Sequence, residues 1–229
     1  MLSNEEITRR QLFYRSILPA NKFDQIQSTQ EYFWSIEEYK EKVQGLKKRG
    51  FKDPVKLIVV FPQVLGLSFE NIDRKIAGLT QRGFKDAVKL ITACLAALSL
   101  SFENIDARVA GLIQLGFKDP IKLITTFPAV LHLSFENIEA KITELTQRGF
   151  KDPIKLITTF PSVLGLSFEN VDGKIAGLTQ RGFKDPIKLI TTFPQLLGLS
   201  FENIDRKIRY ARRVGYVEFI QLIEYCPML

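Results

Sequence analysis

The sequence predicts an all-α protein, an α-solenoid of 33-residue units that each fold as helix, turn and helix. One observation is the repeat itself, because a glycine followed by an aromatic residue recurs every 33 residues. Another is that each unit holds two apolar stretches with helical spacing, and each stretch begins with a residue that favours helix N-termini. Because one unit cannot bury its apolar residues alone, neighbouring units are expected to stack. The residues leave the choice between a right- and a left-handed solenoid open.

The repeat divides the chain into two predicted regions. Residues 1–34 hold no clear copy of the unit and are expected to form an N-terminal helical cap. Residues 35–229 are expected to form the repeat solenoid, which opens with a half unit at 35–50 and closes with a truncated unit at 216–229. The full units between them are residues 51–83, 84–116, 117–149, 150–182 and 183–215.

The first helix of a unit is clearest in residues 150–182. Asp152 is a predicted N-cap, and Pro153 suits the first helical position because its missing N–H has no partner there. Pro161 is expected to end this helix, since its ring excludes a straight continuation, and a short turn, for example a 3₁₀ turn, should follow. The apolar face of the helix is expected to comprise Ile154, Leu156, Ile157 and Phe160.

The second helix of that unit has equally local signals. Ser167 is its predicted N-cap, and Gly182 with Phe183 predicts a left-handed C-cap with an apolar contact behind it. In the half unit, Ser35 and Glu38 have the spacing of a capping box. The residues that recur on one side of the second helix are Phe168, Val171, Ile175 and Leu178.

Unit 84–116 departs most from the pattern. Ala87 replaces the proline of the first turn, Leu95 replaces the proline after the helix, and Cys94 replaces phenylalanine. Without the second proline we expect a longer and straighter first helix here, and a local change in the curvature of the solenoid.

Composition excludes several classes of protein. No apolar run approaches the roughly 18 residues that a membrane span requires, and the opening residues do not form a secretory signal. The only cysteines are Cys94 and Cys226, which predicts neither a disulfide framework nor a thiolate metal site. A lone histidine, His132, and the absence of a glycine-rich phosphate loop predict no enzyme activity, no metal and no cofactor.

The unit resembles the repeat of the mitochondrial transcription termination factor (mTERF) family. The resemblance rests on a proline with leucine three residues on, a Ser-x-Glu-Asn helix start, an apolar helix and a closing Gly-Phe, and it extends from about Ser35 to Leu229. The ankyrin and tetratricopeptide patterns are absent. The residues that carry the resemblance in unit 183–215 are Pro194, Leu197, Ser200, Glu202, Asn203 and Ile204, and the closing pair is seen in Gly182 and Phe183.

The resemblance implies a left-handed superhelix of triple-helix units that binds nucleic acid, usually double-stranded DNA or RNA, along a positive surface. It also implies an organelle or, for a bacterial relative, the cytoplasm. We therefore expect a monomer that binds double-stranded DNA first, with RNA as an alternative, and that acts in transcription regulation or termination. No membrane and no small-molecule substrate is expected as a partner.

The distribution of charge fits that expectation. The net charge is +7, and residues 46–229 carry 26 Lys and Arg against 18 Asp and Glu. With Ile72, Ile76 and Leu79 in the core, a helical wheel places Lys75 and Arg82 on a neighbouring polar stripe. Stacking would turn such stripes into rows of cations suited to recurring phosphates. The candidate nucleic-acid-binding residues are Arg74, Lys75, Arg82, Arg108, Lys141, Arg148, Lys174, Arg181, Arg206, Lys207, Arg209, Arg212 and Arg213.

Three alternatives stay open at this point. The repeated cations also suit an ordinary solvated helix face, and the lysines beside the caps, such as Lys151 and Lys155, suit either solvent or a phosphate. Two positions vary together between units, for example Gln63 with Arg74 and Ser162 with Gly173, which indicates either ligand contact or recent duplication. The rival function is a protein-interaction scaffold, such as a bacterial helical-repeat effector, because solenoids often serve that purpose.

Overall fold

The computed structural model describes residues 4–20, 23 and 35–213, and the truncated unit 216–229 lies outside them. The regular structure of these residues is helical throughout. The chain divides into two compact units, residues 1–106 and 107–229. The N-terminal helix α1 (Asn4–Ile17) falls in the region predicted as a cap, and α2 (Ile36–Lys48) is the helix of the half unit. Ser35 and Glu38 form the predicted capping box at its start.

Each repeat consists of a short helix, a tight turn and a long helix. The short helices are α3 (Pro54–Val60), α5 (Ala87–Ala93), α8 (Pro120–Thr126), α10 (Pro153–Thr159) and α12 (Pro186–Thr192). The long helices are α4 (Phe69–Gln81), α7 (Phe102–Gln114), α9 (Phe135–Gln147), α11 (Phe168–Gln180) and α13 (Phe201–Arg213). The all-helical repeat predicted from the sequence is therefore confirmed.

The caps of these helices also agree with the sequence. The side chain of Asp152 accepts a hydrogen bond from the backbone N–H of Lys155, and that of Ser167 accepts one from Asn170. At the end of α11, Gly182 has a φ of 91°, and the Phe183 N–H donates to the carbonyl of Leu178 at 3.2 Å. Only glycine adopts this left-handed backbone without strain, so the glycine at the end of the unit is a requirement of the turn.

A 3₁₀ turn separates the short and long helices of four repeats, as the prolines predicted. These turns are Pro62–Gly66, Pro128–His132, Pro161–Gly165 and Pro194–Gly198. In unit 84–116 a second short α-helix, α6 (Ala96–Ser99), takes the place of the turn.

The expectation of a longer first helix in unit 84–116 is wrong. Helix α5 has 7 residues, as α3 does, and Cys94 has the extended backbone (φ −140°, ψ 91°) of the phenylalanine it replaces. The Cys94 N–H donates to Leu90 as Phe61 donates to Leu57. The break is therefore present without the proline, and Ile91 and Ala97 on its two sides are both 0% exposed.

The core repeats with the same period as the sequence. In unit 150–182 both members of the pair Leu156 and Ile157 are buried, as are Val163, Val171 and Leu178. Cys94 is buried, while Cys226 lies outside the described residues. Among the helices of the described residues, none has the length and apolar character needed to cross a membrane.

Candidate nucleic-acid interface

The polar stripe of each long helix faces the next repeat. We call this contact the seam: the C-terminal half of one long helix meets the start of the next one, with α2 acting as the first long helix. Hydrogen bonds across the seam join residues 24 or 25 apart in the chain. The first unit of the chain holds two seams, α2 with α4 and α4 with α7, and the second holds α7 with α9, α9 with α11 and α11 with α13.

A phenylalanine and a glycine form the centre of most seams. A Cβ added to Gly78 would lie 2.2 Å from Cζ of Phe102, so the ring occupies the space that any other side chain would fill. The same contact joins Gly45 with Phe69, Gly111 with Phe135 and Gly177 with Phe201. A glycine inside a helix costs roughly 0.5–1 kcal/mol relative to alanine, and the close approach of the ring explains its presence here.

A cation lies over the ring in every seam. Lys75 donates a hydrogen bond from Nζ to the carbonyl of Leu100, and this Nζ lies 4.5 Å from the centroid of Phe102. Burial lowers the pKa of Lys75 from its usual value. The other pairs of this kind are Lys42 with Leu67, Arg108 with Leu133, Lys141 with Leu166 and Lys174 with Leu199.

An arginine and an aspartate close four of the five seams. Arg82 donates from Nε and Nη2 to the two carboxylate oxygens of Asp106, at 2.7 and 2.9 Å, and from Nη1 to the carbonyl of Gly78 at 3.1 Å. Its guanidinium also lies 4.3 Å from the centroid of Phe102. These hydrogen bonds from Arg82 lower the pKa of Asp106. The equivalent pairs are Arg49 with Asp73, Arg148 with Asp172 and Arg181 with Asp205.

Two seams depart from this pattern, and in each of them a second residue is affected together with the first. Between α7 and α9, Leu115 replaces the arginine and Glu139 replaces the aspartate. Between α9 and α11, Glu144 replaces the glycine and forms an ion pair with Arg148, whose guanidinium is then 4.9 Å from the ring of Phe168.

Restoring the missing pair between α7 and α9 is expected to couple the two helices. In the double variant Leu115→Arg with Glu139→Asp, the two new side chains should show a favourable coupling of about 0.5 kcal/mol, because partly exposed pairs contribute up to about 1 kcal/mol. Urea unfolding measures it in a cycle that starts from Glu139→Ala, with the arginine and the aspartate introduced separately and together, because Glu139 would itself pair with an arginine at position 115. The matched control is Leu115→Lys with Glu139→Asp, which lacks the planar fork. A coupling of zero in the arginine pair would contradict the expectation.

The structure places the predicted binding residues in two environments. Seven of them lie in seams: Lys75, Arg82, Arg108, Lys141, Arg148, Lys174 and Arg181. Arg74 and Arg206 are exposed and donate to Asn71 and Asn203 on their own helices, at 2.6 and 2.7 Å. Lys207, Arg209 and Arg213 are exposed on α13, and Arg212 lies outside the described side chains.

Sequence reasoning missed the seam as a structural element. The helical wheel identified the stripe that contains Lys75 and Arg82, but the partners Phe102 and Asp106 belong to the next unit. Two signals in the sequence could have found them. One is a glycine inside four of the long helices, and the other is an arginine followed 24 residues later by an aspartate wherever the arginine is present.

Comparison with protein families identifies a match for this chain. The family model described as mTERF matches residues 25–184. This range covers more than half of the chain and contains the half unit, the first four full units and the first two residues of the fifth. None of the curated proteins compared with the chain matches it.

Proposed function

The chain belongs to the mTERF family, and we propose that it is a nucleic-acid-binding helical-repeat protein that grips the phosphate backbone without enzymatic chemistry. Double-stranded DNA is the proposed ligand, and transcription regulation or termination is the proposed role. The observation that carries the proposal is the cluster of exposed cations on α13: Arg206, Lys207, Arg209 and Arg213.

The α13 cluster differs from the seam cations in what surrounds it. Each seam cation already donates to a carbonyl or a carboxylate, so a phosphate would have to compete with a protein partner. On α13 the nearest acid in the chain, Asp205, accepts two hydrogen bonds from Arg181. Its charge is therefore matched by Arg181 at the end of α11, and the α13 cluster keeps a positive excess toward solvent.

Phosphate contacts of this kind position a protein on nucleic acid and carry no base information. The seam cations have a second task in this proposal: they hold consecutive long helices together, so that the exposed cations stay in fixed positions. Preorganised charges lose less entropy when the ligand binds.

Fluorescence anisotropy with labelled duplex DNA, single-stranded DNA and RNA across a salt series tests the proposal. The quantity measured is the slope of the logarithm of the association constant against the logarithm of the salt concentration, called the salt slope below. If each cation of the α13 cluster neutralises one phosphate, the salt slope for duplex DNA should be about −4 or steeper. The double variant Arg209→Gln with Arg213→Gln should make the slope shallower by about 2.

The matched control is Arg9→Gln with Lys40→Gln, which removes the same charge from exposed positions of α1 and α2. We expect it to leave the slope near the wild-type value. Failure of the wild-type chain to bind any of the three nucleic acids at low salt would overturn the proposal and favour a protein partner, for which a pull-down is the next step.

A further inference from the structure

A second set of exposed cations lies at the start of the short helices. In unit 150–182, Lys151 precedes the N-cap Asp152 and Lys155 follows it within the first turn, and both lysine side chains are exposed. Every full unit has a lysine at both positions, and all ten are exposed. The pairs are Lys52 and Lys56, Lys85 and Lys89, Lys118 and Lys122, Lys151 and Lys155, and Lys184 and Lys188.

The local charge at these helix starts is positive. Each pair of lysines is accompanied by one carboxylate, the N-cap aspartate, and Oδ1 of Asp152 accepts the backbone N–H of Lys155 at 2.8 Å. The long helices begin differently, with one acid and no cation in the first turn, as Glu169 shows for α11. The two kinds of helix start in one repeat therefore have opposite charge.

The lysine pairs do not vary between repeats, although some other exposed positions do. The exposed position of Arg74 on the long helix has changed to alanine in two other units and to glycine in a third. The two lysine positions have kept lysine in all five units. The exposed glutamate of the long helices, as at Glu169, is equally constant, so the constancy establishes that every repeat presents the same two lysines.

The packing of the repeats explains why the pairs are regularly placed. Each short helix begins after the left-handed glycine that ends the preceding long helix, as at Gly149 and Lys151, and the seams join consecutive long helices through equivalent residues. Consecutive repeats in the same compact unit therefore present their lysine pairs in equivalent positions. The second compact unit of the chain holds three such pairs.

We infer that the lysine pairs of the short helices are a phosphate-binding surface, on which each repeat contacts the backbone of a nucleic acid duplex with two cations. The inference rests on the proposed function and names residues outside the α13 cluster. A regular row of identical charges matches a polymer with regularly spaced phosphates, and because each repeat presents the same residues the contact is independent of base sequence.

The test uses the full chain and a labelled DNA duplex in the same salt series. The double variant Lys151→Gln with Lys155→Gln should make the log–log slope shallower by about 2, and adding Lys118→Gln with Lys122→Gln should make it shallower by about 4. The control is again Arg9→Gln with Lys40→Gln. Urea unfolding should show unchanged stability for the lysine variants, since their side chains are exposed.

Each outcome decides a different point. If the wild-type chain binds and the lysine variants keep its slope, the lysine surface is wrong while the proposed function stands. If the control variant makes the slope as much shallower as the lysine variants do, the change in slope comes from net charge, and the lysine surface is again wrong. If the wild-type chain binds no duplex, the proposed function and the lysine surface both fail. A slope that becomes shallower with each lysine pair removed, and stays unchanged in the control, supports the inference.

Discussion

Replacing Phe201 with alanine is expected to lower the free energy of unfolding by about 3 kcal/mol, the range seen when a large aromatic side chain is removed from a packed site. The ring fills the space against Gly177 in the seam between α11 and α13. Nζ of Lys174 lies 4.4 Å and the guanidinium of Arg181 lies 4.2 Å from its centroid. Alanine would remove the apolar contact and both cation–π contacts together.

Urea unfolding followed by circular dichroism measures this loss, and Phe201→Leu is the matched control. Leucine keeps much of the apolar volume but has no aromatic face, so its loss should be about half as large. A loss below about 1 kcal/mol for the alanine variant would show that the seam contributes little to stability.

Replacing Lys141 with methionine is expected to lower the free energy of unfolding by about 2 kcal/mol, because a buried acceptor deprived of its donor costs about 1–3 kcal/mol. Lys141 is only 6% exposed, and its Nζ donates to the carbonyl of Leu166 at 2.5 Å and lies 3.9 Å from the centroid of Phe168. Methionine has a similar length but neither the charge nor the donor, so the loss reports these two contacts.

The chain offers its own control for this change. Unit 84–116 has arginine at the equivalent position, where Arg108 donates to Leu133 at 2.6 Å and lies 4.3 Å from the ring of Phe135. Lys141→Arg should therefore keep the stability of the wild type. Under conditions where the methionine variant remains folded, its salt slope for duplex DNA should match the wild type. A shallower slope with unchanged stability would instead assign Lys141 to the ligand.

Local signals predicted the parts of the fold that local interactions determine. Asp152, Ser167 and Gly182 lie where they must to cap their helices, because each cap depends on residues within a few positions. The break at Cys94 could not be read this way, since the proline that signals it elsewhere is absent.

The candidate site shows the same division on a larger scale. A helical wheel correctly separates Ile72 and Leu79, both 0% exposed, from the polar stripe of α4. The wheel contains only one helix, so it treats the polar stripe as facing solvent. In the structure the next repeat covers this stripe. The exposed lysines beside the N-caps could be identified from the sequence, but their separation from the seam cations required the contacts between repeats.

The span of the seam contacts has a consequence for how the chain folds. Lys174 and Leu199, like the other cation and carbonyl pairs, are separated by 25 residues, so a seam can form once two consecutive long helices and the short helix between them have been made. Proteins dominated by such short-range contacts have low contact order and fold rapidly. Folding of this array can therefore begin at any adjacent pair of repeats and extend along the chain one neighbour at a time.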